Sequence, residues 1–432
     1  MTNNTNRKIK IGIFGLSRGK SFIDGIHSCG GEVVALCDTD EGRIAERQKT
    51  VPNAVGYTDF DEFLCHEGLD AVVIANYFHE HAPFAIKALE KNIHVLSECI
   101  PAATMGDAVA LVRAAEKSKA TYMLAENYPF MKNVEEMRRV YQSGSLGKVL
   151  FAEGEYNHPL WNDWSKGDCM ELLCPHSKHW RYHMPRVYYI THSLAPLCYI
   201  TGVMPKRISA FPVSHPFTKE TCLSDLYWRL PDRSAIVNCF NDDGSVFRVT
   251  GWAQFGGEAN AYRVCGSLGQ IENIRGADDR VMLRYNDYAV PEGMNKVNSY
   301  IPEWDPEVKA LAENAGHGGG DYLVVKEFFD AIREERGPIF DVYFGATLSA
   351  VAILGHRSAL EYGVPYDIPD FKDEAERTKW ENDFLTPMWG SDGTPPSMPN
   401  TELAEYLPTE QSMAEYDAAV AKYRAEQAAK NK

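Results

Sequence analysis

Lys8-Ile9-Lys10-Ile11-Gly12-Ile13-Phe14-Gly15-Leu16-Ser17-Arg18-Gly19 decides the fold, because an apolar strand pattern runs directly into a glycine-bearing turn. Glycines at such a turn let backbone amides approach a pyrophosphate, and the helix that follows adds partial positive charge. Gly15, Ser17, Arg18 and Gly19 are therefore candidate cofactor-binding positions, with Ser17 in the place of a middle glycine. Asp38 closes the next apolar run, 23 residues after Gly15. A carboxylate there can accept hydrogen bonds from an adenosine ribose, and no arginine follows immediately to hold a 2′-phosphate, which favours NAD over NADP.

Working outward, the runs EVVALCD (32–38), DAVVIAN (70–76), IHVLSE (93–98) and TYMLAE (121–126) repeat the strand pattern, with helical spacing over 82–91 and 106–118 between them. That alternation predicts a parallel sheet covered on both faces, an α/β Rossmann domain over residues 1–128. A helix over 132–141 closes on Ser143-Gly144. Segments 148–156, 206–213, 225–240, 245–255 and 260–273 then read as strands, divided by turn residues such as Asn241-Asp242-Asp243-Gly244. They predict a second, α+β domain over 129–370, with an open, mainly antiparallel sheet. Helical spacing returns at 321–336 and 342–362, and 371–432 reads as a surface arm ending in a helix near 409–430.

The 432 residues, 44% hydrophobic and 24% charged, suit a globular chain of two or three domains. A net charge of −16 argues against a nucleic-acid partner, which needs a basic surface. No run approaches the ~18 apolar residues of a membrane span, and the first seven residues lack the apolar core of a secretion signal. A cytoplasmic protein with a small-molecule ligand is expected. The ten cysteines show no paired rhythm, and Cys37, Cys99, Cys198 and Cys239 sit in apolar runs, so reduced thiols are expected.

Trp180-Arg181-Tyr182-His183, followed by Tyr188-Tyr189-Ile190-Thr191-His192, gathers a guanidinium, phenols and imidazoles suited to acid–base chemistry on hydroxyl groups. The preceding insert, 166–180, carries Cys169, Cys174, His176 and His179, which with His183 could be read as zinc ligands; the spacing fits no strong pattern, and no metal is expected. Its local charge offers another reading. Lys166, Lys178, Arg181 and Arg186 outnumber Asp168 and Glu171, a cationic lip that could receive an anionic substituent of a small-molecule ligand.

DAVVIAN, then His81, then AIKALEKNIHVLSE (85–98) resemble the Gfo/Idh/MocA family of sugar-handling dehydrogenases, which joins a Rossmann domain to a sheet-based substrate domain. The usual family strand ends in Glu-Lys-Pro, with the lysine near the hydroxyl being oxidised. This chain has Glu98-Cys99-Ile100-Pro101 instead. Within the family, the NAD-dependent α-N-acetylgalactosaminidases also lack that lysine. The chain is similar to them at Glu126-Asn127, GSLGK (144–148), EGEYNH (153–158), WRYH, YITH and GHGGGDY (316–322).

The resemblance implies hydrolysis of a glycoside without net redox: NAD⁺ oxidises sugar carbon 3, the ketone acidifies carbon 2, the aglycone is eliminated, water adds, and the sugar is reduced again. It places Tyr156 at carbon 2, His192 at the carbon 3 hydroxyl and Tyr189 on the sugar, with Arg181, His183, Lys178 and His317 on the substrate. Asn76, His81, Glu98 and Glu126 join the glycine turn and Asp38 on the cofactor side. Tyr156 would need its phenol pKa lowered from ~10, for which Arg181 is the candidate. Asp321 most simply caps the helix after the GHGGGDY glycines. The alternatives are a glycoside 3-dehydrogenase and a non-catalytic sugar sensor. A homo-oligomer is expected by analogy with the family.

Overall fold

The structure, a computed structural model, describes residues 8–159, 174, 176–215, 231–277 and 279–430. Six parallel strands form the first sheet: β1 (Ile9–Phe14), β2 (Gly31–Cys37), β3 (Val55–Tyr57), β4 (Ala71–Ile74), β5 (His94–Ser97) and β6 (Tyr122–Leu124). Their order is β3-β2-β1-β4-β5-β6. The direction of winding reverses between β1 and β4, which leaves a ligand crevice at the carboxyl ends of the strands. All four residues of β4 are buried, as a strand covered on both faces requires. β3 escaped the sequence reading because it is a three-residue edge strand with no apolar run.

The second sheet has nine strands among the described residues: β7 (Val149–Asn157), β8 (Pro205–Ser214), β9 (Asp232–Asn241), β10 (Val246–Ala253), β11 (Ala259–Gly266), β12 (Gly269–Asn273), β13 (Val281–Tyr285), β14 (Val297–Tyr300) and β15 (Tyr366–Asp367). They run in the order β14-β13-β12-β11-β7-β10-β9-β8-β15. Every pairing is antiparallel except β7 with β10. The segment 260–273, read as one strand, is a hairpin broken at Ser267-Leu268, and β13 and β14 extend the sheet past it.

The helix Thr191–Thr201 lies directly over β7. Gly154 permits this approach, since a Cβ there would stand 2.0 Å from the Ser193 carbonyl oxygen. The helix Val342–Leu360 is apolar around most of its surface and joins the two sheets. Its Ser349 hydroxyl accepts from Ala102 N at 3.2 Å, and Ser358 accepts from Ala210 N at 2.8 Å.

The segment after 371 ends in the expected helix, Glu410–Lys430, yet it is more than a surface arm. Phe371, Met388, Tyr416 and Val420 are buried. Asp383 takes both arms of Arg357 at 2.6 Å and its carbonyl accepts from Gly106 N at 2.8 Å, while Tyr416 Oη donates to the Cys174 carbonyl at 3.0 Å. Composition hid this, because the segment is anchored by polar groups and a few isolated apolar residues. The eight described cysteines are free thiols, and no helix among the described residues is long and apolar enough to cross a membrane.

Candidate active site

β1 delivers the chain into a turn at Gly15 with φ 87°, where a Cβ would stand 2.3 Å from the Ala75 carbonyl. Only glycine fits between β1 and β4 at this point. Ser17 is exposed on the first helical turn. Asp38 is buried at the end of β2, its Oδ2 accepting from Leu16 N at 2.9 Å and its Oδ1 from Asp40 N at 3.0 Å. Arg43, which sequence reasoning did not single out, reaches Asp38 at 3.2 Å from the next helix.

The crevice also holds a buried Asn76 Oδ1 with no hydrogen-bond partner. His81 is buried, with Nδ1 2.9 Å from the Ile100 carbonyl. A glycine cradle, a carboxylate at the end of β2 and an unsatisfied amide oxygen fit an NAD molecule laid across these strand ends. Asp38→Ala is expected to weaken NAD binding about tenfold or more, the loss of a hydrogen bond to a charged acceptor; titration of tryptophan fluorescence quenching by NAD measures it.

Arg18 does not point at open crevice. Its Nε donates to Glu98 at 2.6 Å and its Nη2 to Asp321 at 2.9 Å, tying the glycine turn to the helix Gly320–Arg333. Asp321 is not the cap of that helix. Gly319 holds the cap position, and Asp321 instead receives Arg18, Asn127 Nδ2 at 2.8 Å and His317 Nδ1 at 2.9 Å. Burial opposes its charge, but these donors hold its carboxyl well below the ordinary range.

His192 sits in the first turn of the Thr191–Thr201 helix, with Nδ1 2.8 Å from Glu126 Oε1. Glu126, expected on the cofactor, is fully buried and engaged with His192 and with Cys99 Sγ at 3.1 Å. Burial pushes the Glu126 carboxyl up, yet the imidazole beside it brings it below its usual value. An ionised carboxylate can only accept, so a neutral imidazole here carries its proton on Nδ1 and presents the Nε2 lone pair.

Phenols surround this imidazole. Tyr128 stacks on it at 4.1 Å between centroids, Tyr156 meets it edge-on at 4.9 Å and Tyr189 at 5.0 Å, while Tyr262 Oη donates to the His192 carbonyl at 2.7 Å. The expected lowering of the Tyr156 pKa does not occur. Burial dominates, Tyr128 and Tyr189 add to it, and Arg181, though acting downward, leaves the phenol well above its ordinary value. Tyr189 is likewise pushed up to about 12, chiefly by burial.

On the substrate side, Arg181 lies over the Trp180 ring at 4.6 Å and exposed Lys178 over Trp389 at 4.5 Å. His317 stands 6.2 Å from Tyr128, ring to ring. His183 turns toward the C-terminal segment instead: it is buried, with Nε2 2.5 Å from the Ser177 carbonyl and Nδ1 3.3 Å from Asn400, beside a cavity of about 260 Å³ lined by Trp389, Pro399 and Met413. Arg186 is no part of a cationic lip, since it is buried over the Trp252 ring with Asp232 as its counter-charge.

Lys166, Asp168, Cys169 and Glu171 lie outside the described residues. Of the other zinc candidates, Cys174, His176, His179 and His183, none belongs to a convergent ligand set among the described residues. Burial pushes His179 down to about 3 and His183 and His356 down to about 4. These imidazoles resist a proton that the unfolded chain accepts near pH 6.5, so they stabilise the fold fully above that pH and progressively less as pH falls toward 4. Melting curves are expected to show a lower Tm at pH 5 than at pH 7.5.

Sequence reasoning missed four residues of this cluster. Phe78 stacks between Trp180 at 5.1 Å and Tyr189 at 5.3 Å, and Trp252 meets Tyr189 at 5.5 Å. Tyr128 and Cys99 complete the surroundings of His192 and Glu126. Tyr128 was legible in principle, two residues beyond Glu126; Trp252 was not, because only the β7–β10 pairing brings it opposite Tyr156.

Residues 9–126 match the family described as the oxidoreductase family with an NAD-binding Rossmann fold, and residues 260–382 match the glycosyl hydrolase 109 C-terminal domain. A glycosyl hydrolase family 109 protein of Streptomyces niveus is 26% identical over 90% of this chain and 81% of its own length. An α-N-acetylgalactosaminidase of Tannerella forsythia is 24% identical over 79% of this chain and 81% of its own. Among solved structures, a levoglucosan dehydrogenase in complex with NADH and L-sorbose shares the fold, with a TM-score of 0.70 at 17% identity, covering 85% of this chain and 100% of that one. The two matches assign residues 9–126 to the NAD-binding Gfo/Idh/MocA oxidoreductases and residues 260–382 to glycosyl hydrolase family 109, with NAD as the cofactor.

Proposed function

We propose that the chain is an NAD-dependent glycoside hydrolase that works by transient oxidation at sugar carbon 3, on a glycoside whose sugar is anionic or N-acetylated. The observation that carries this reading is the Glu126–His192 pair walled by Tyr128, Tyr156 and Tyr189. NAD, when bound, would supply the uptake and return of hydride at carbon 3. His192 accepts the carbon 3 hydroxyl proton at Nε2, and Glu126 stabilises the imidazolium that results.

With a ketone at carbon 3, the carbon 2 proton becomes acidic enough for a side-chain base. Tyr156 handles that proton. Its phenol is protonated at rest, so it must lose its own proton before it can take one, and the carbon 2 step should quicken as pH rises through the alkaline range. The aromatic wall of Phe78, Trp180 and Tyr189 offers flat apolar surface to a sugar ring. Arg181 and Lys178 supply charge for an anionic substituent.

The test is incubation with neutral, anionic and N-acetylated aryl glycosides in deuterated water, following aglycone, NADH and label at carbon 2. Aglycone release with carbon 2 deuterium and no NADH build-up is the expected result. NADH accumulation with intact glycoside would mean a 3-dehydrogenase, and the hydrolase reading would fall.

A further inference from the structure

Among the described residues, one set of His, Cys and carboxylate groups brings three ligand atoms within 4.8 Å of one another: Cys99, Glu126 and His192, all buried. They come from separate elements. Cys99 lies just past β5, Glu126 just past β6, and His192 on the helix packed over β7. Cys99 Sγ is 3.1 Å from Glu126 Oε2 and His192 Nδ1 is 2.8 Å from Glu126 Oε1. Thiolate, imidazole and carboxylate at metal-bond lengths of 2.0–2.3 Å would stand about 3.4–3.6 Å apart around a tetrahedral ion, so the two contacts to Glu126 need open by only several tenths of an ångström, and the cysteine and histidine ligand atoms already lie within 4.8 Å of one another.

The charge also matches. Deprotonated Cys99 and Glu126 would carry two negative charges in a buried place where, among the described residues, His192 is the one basic side chain hydrogen-bonded to them. Soft sulfur with imidazole selects a soft or borderline cation over Mg²⁺ or Ca²⁺. Three protein ligands leave a fourth position for water.

We propose that Cys99, Glu126 and His192 form a binding site for a divalent cation of the Zn²⁺ class, and that its occupancy silences His192 as a base. Binding releases the Cys99 thiol proton to solvent. It also takes Nδ1, so the imidazole proton must sit on Nε2, the atom that would otherwise accept the carbon 3 hydroxyl proton. The silencing rests on the proposed role of His192; the cation site does not.

The test uses the full chain stripped by a chelator and titrated with Co²⁺. A near-ultraviolet thiolate-to-cobalt band should saturate at one equivalent and disappear on addition of Zn²⁺. Cys99→Ser and Cys99→Ala, checked for native melting, should lose the band and bind the ion about 100-fold more weakly or worse. Aglycone release by the wild type should fall at least about tenfold with one equivalent of Zn²⁺ bound, return on chelation and ignore Mg²⁺. Absence of the band in the wild type or its survival in both variants would overturn the cation site, and undiminished turnover at saturating Zn²⁺ would overturn the silencing. If the stripped wild type turns over glycoside yet binds no Co²⁺, the proposal fails and the glycosidase stands. If the band depends on Cys99 and no glycoside is turned over, the cation site stands and the glycosidase reading falls.

Discussion

Replacing His192 with alanine is expected to lower turnover by about 10²–10⁴-fold, the usual range for loss of a positioned acid–base group, while NAD binding stays within about twofold. The separation follows from placement. Gly15, Asp38 and Asn76 lie just past the ends of β1, β2 and β4, whereas His192 enters from the helix over the second sheet. On the proposed mechanism, removal of its imidazole takes away the acceptor of the hydroxyl proton and the imidazole partner of Glu126. Reduction of NAD in a single turnover should therefore slow as much as aglycone release, because proton and hydride leave the same carbon 3 alcohol.

Glu126→Gln should give a smaller version of the same defect. The amide can still hydrogen-bond Nδ1, but it no longer stabilises an imidazolium, and its NH₂ can favour the wrong tautomer. Stopped-flow absorbance of the reduced nicotinamide in both variants decides the point. A His192→Ala enzyme that still reduces NAD at the wild-type single-turnover rate would remove His192 from the carbon 3 step.

The parts of this site that were legible in the sequence are those carried by local pattern. The glycine turn, Asp38 at a strand end and the cluster from Trp180 to His192 each lie within one short segment, where apolar periodicity and residue chemistry can be read directly. What was not legible depends on pairing between distant segments. The carboxyl ends of β5 and β6 are neighbours only because the sheet order makes them so, and that puts Cys99 against Glu126. Asp321 fits a helix cap by sequence position alone; its use by Arg18, 303 residues away, appears only in three dimensions. The Tyr156 pKa failed for a related reason. Sequence proximity suggested a helpful cation in Arg181, but burial is a property of the whole neighbourhood, and it outweighs one guanidinium.

Tyr156→Phe is expected to separate the two halves of the reaction. The phenyl ring preserves the edge-on contact with His192 and the ring contact with Tyr128 at 5.4 Å, so the carbon 3 step keeps its base and its walls. What is lost is the hydroxyl proposed to move a proton at carbon 2. Aglycone release and deuterium incorporation at carbon 2 should fall by about 10²–10⁴-fold, while NAD reduction in the first turnover continues and reduced cofactor accumulates with the glycoside uncleaved. The wild type supplies the matching pH signature: because burial keeps the Tyr156 phenol protonated, the carbon 2 exchange rate should climb about tenfold per pH unit on the acidic side of its pKa. The Phe variant should lose that slope. If the variant loses NAD reduction and carbon 2 exchange in equal measure, Tyr156 supports substrate binding or the carbon 3 step, and the division of labour between the tyrosine and the histidine does not hold.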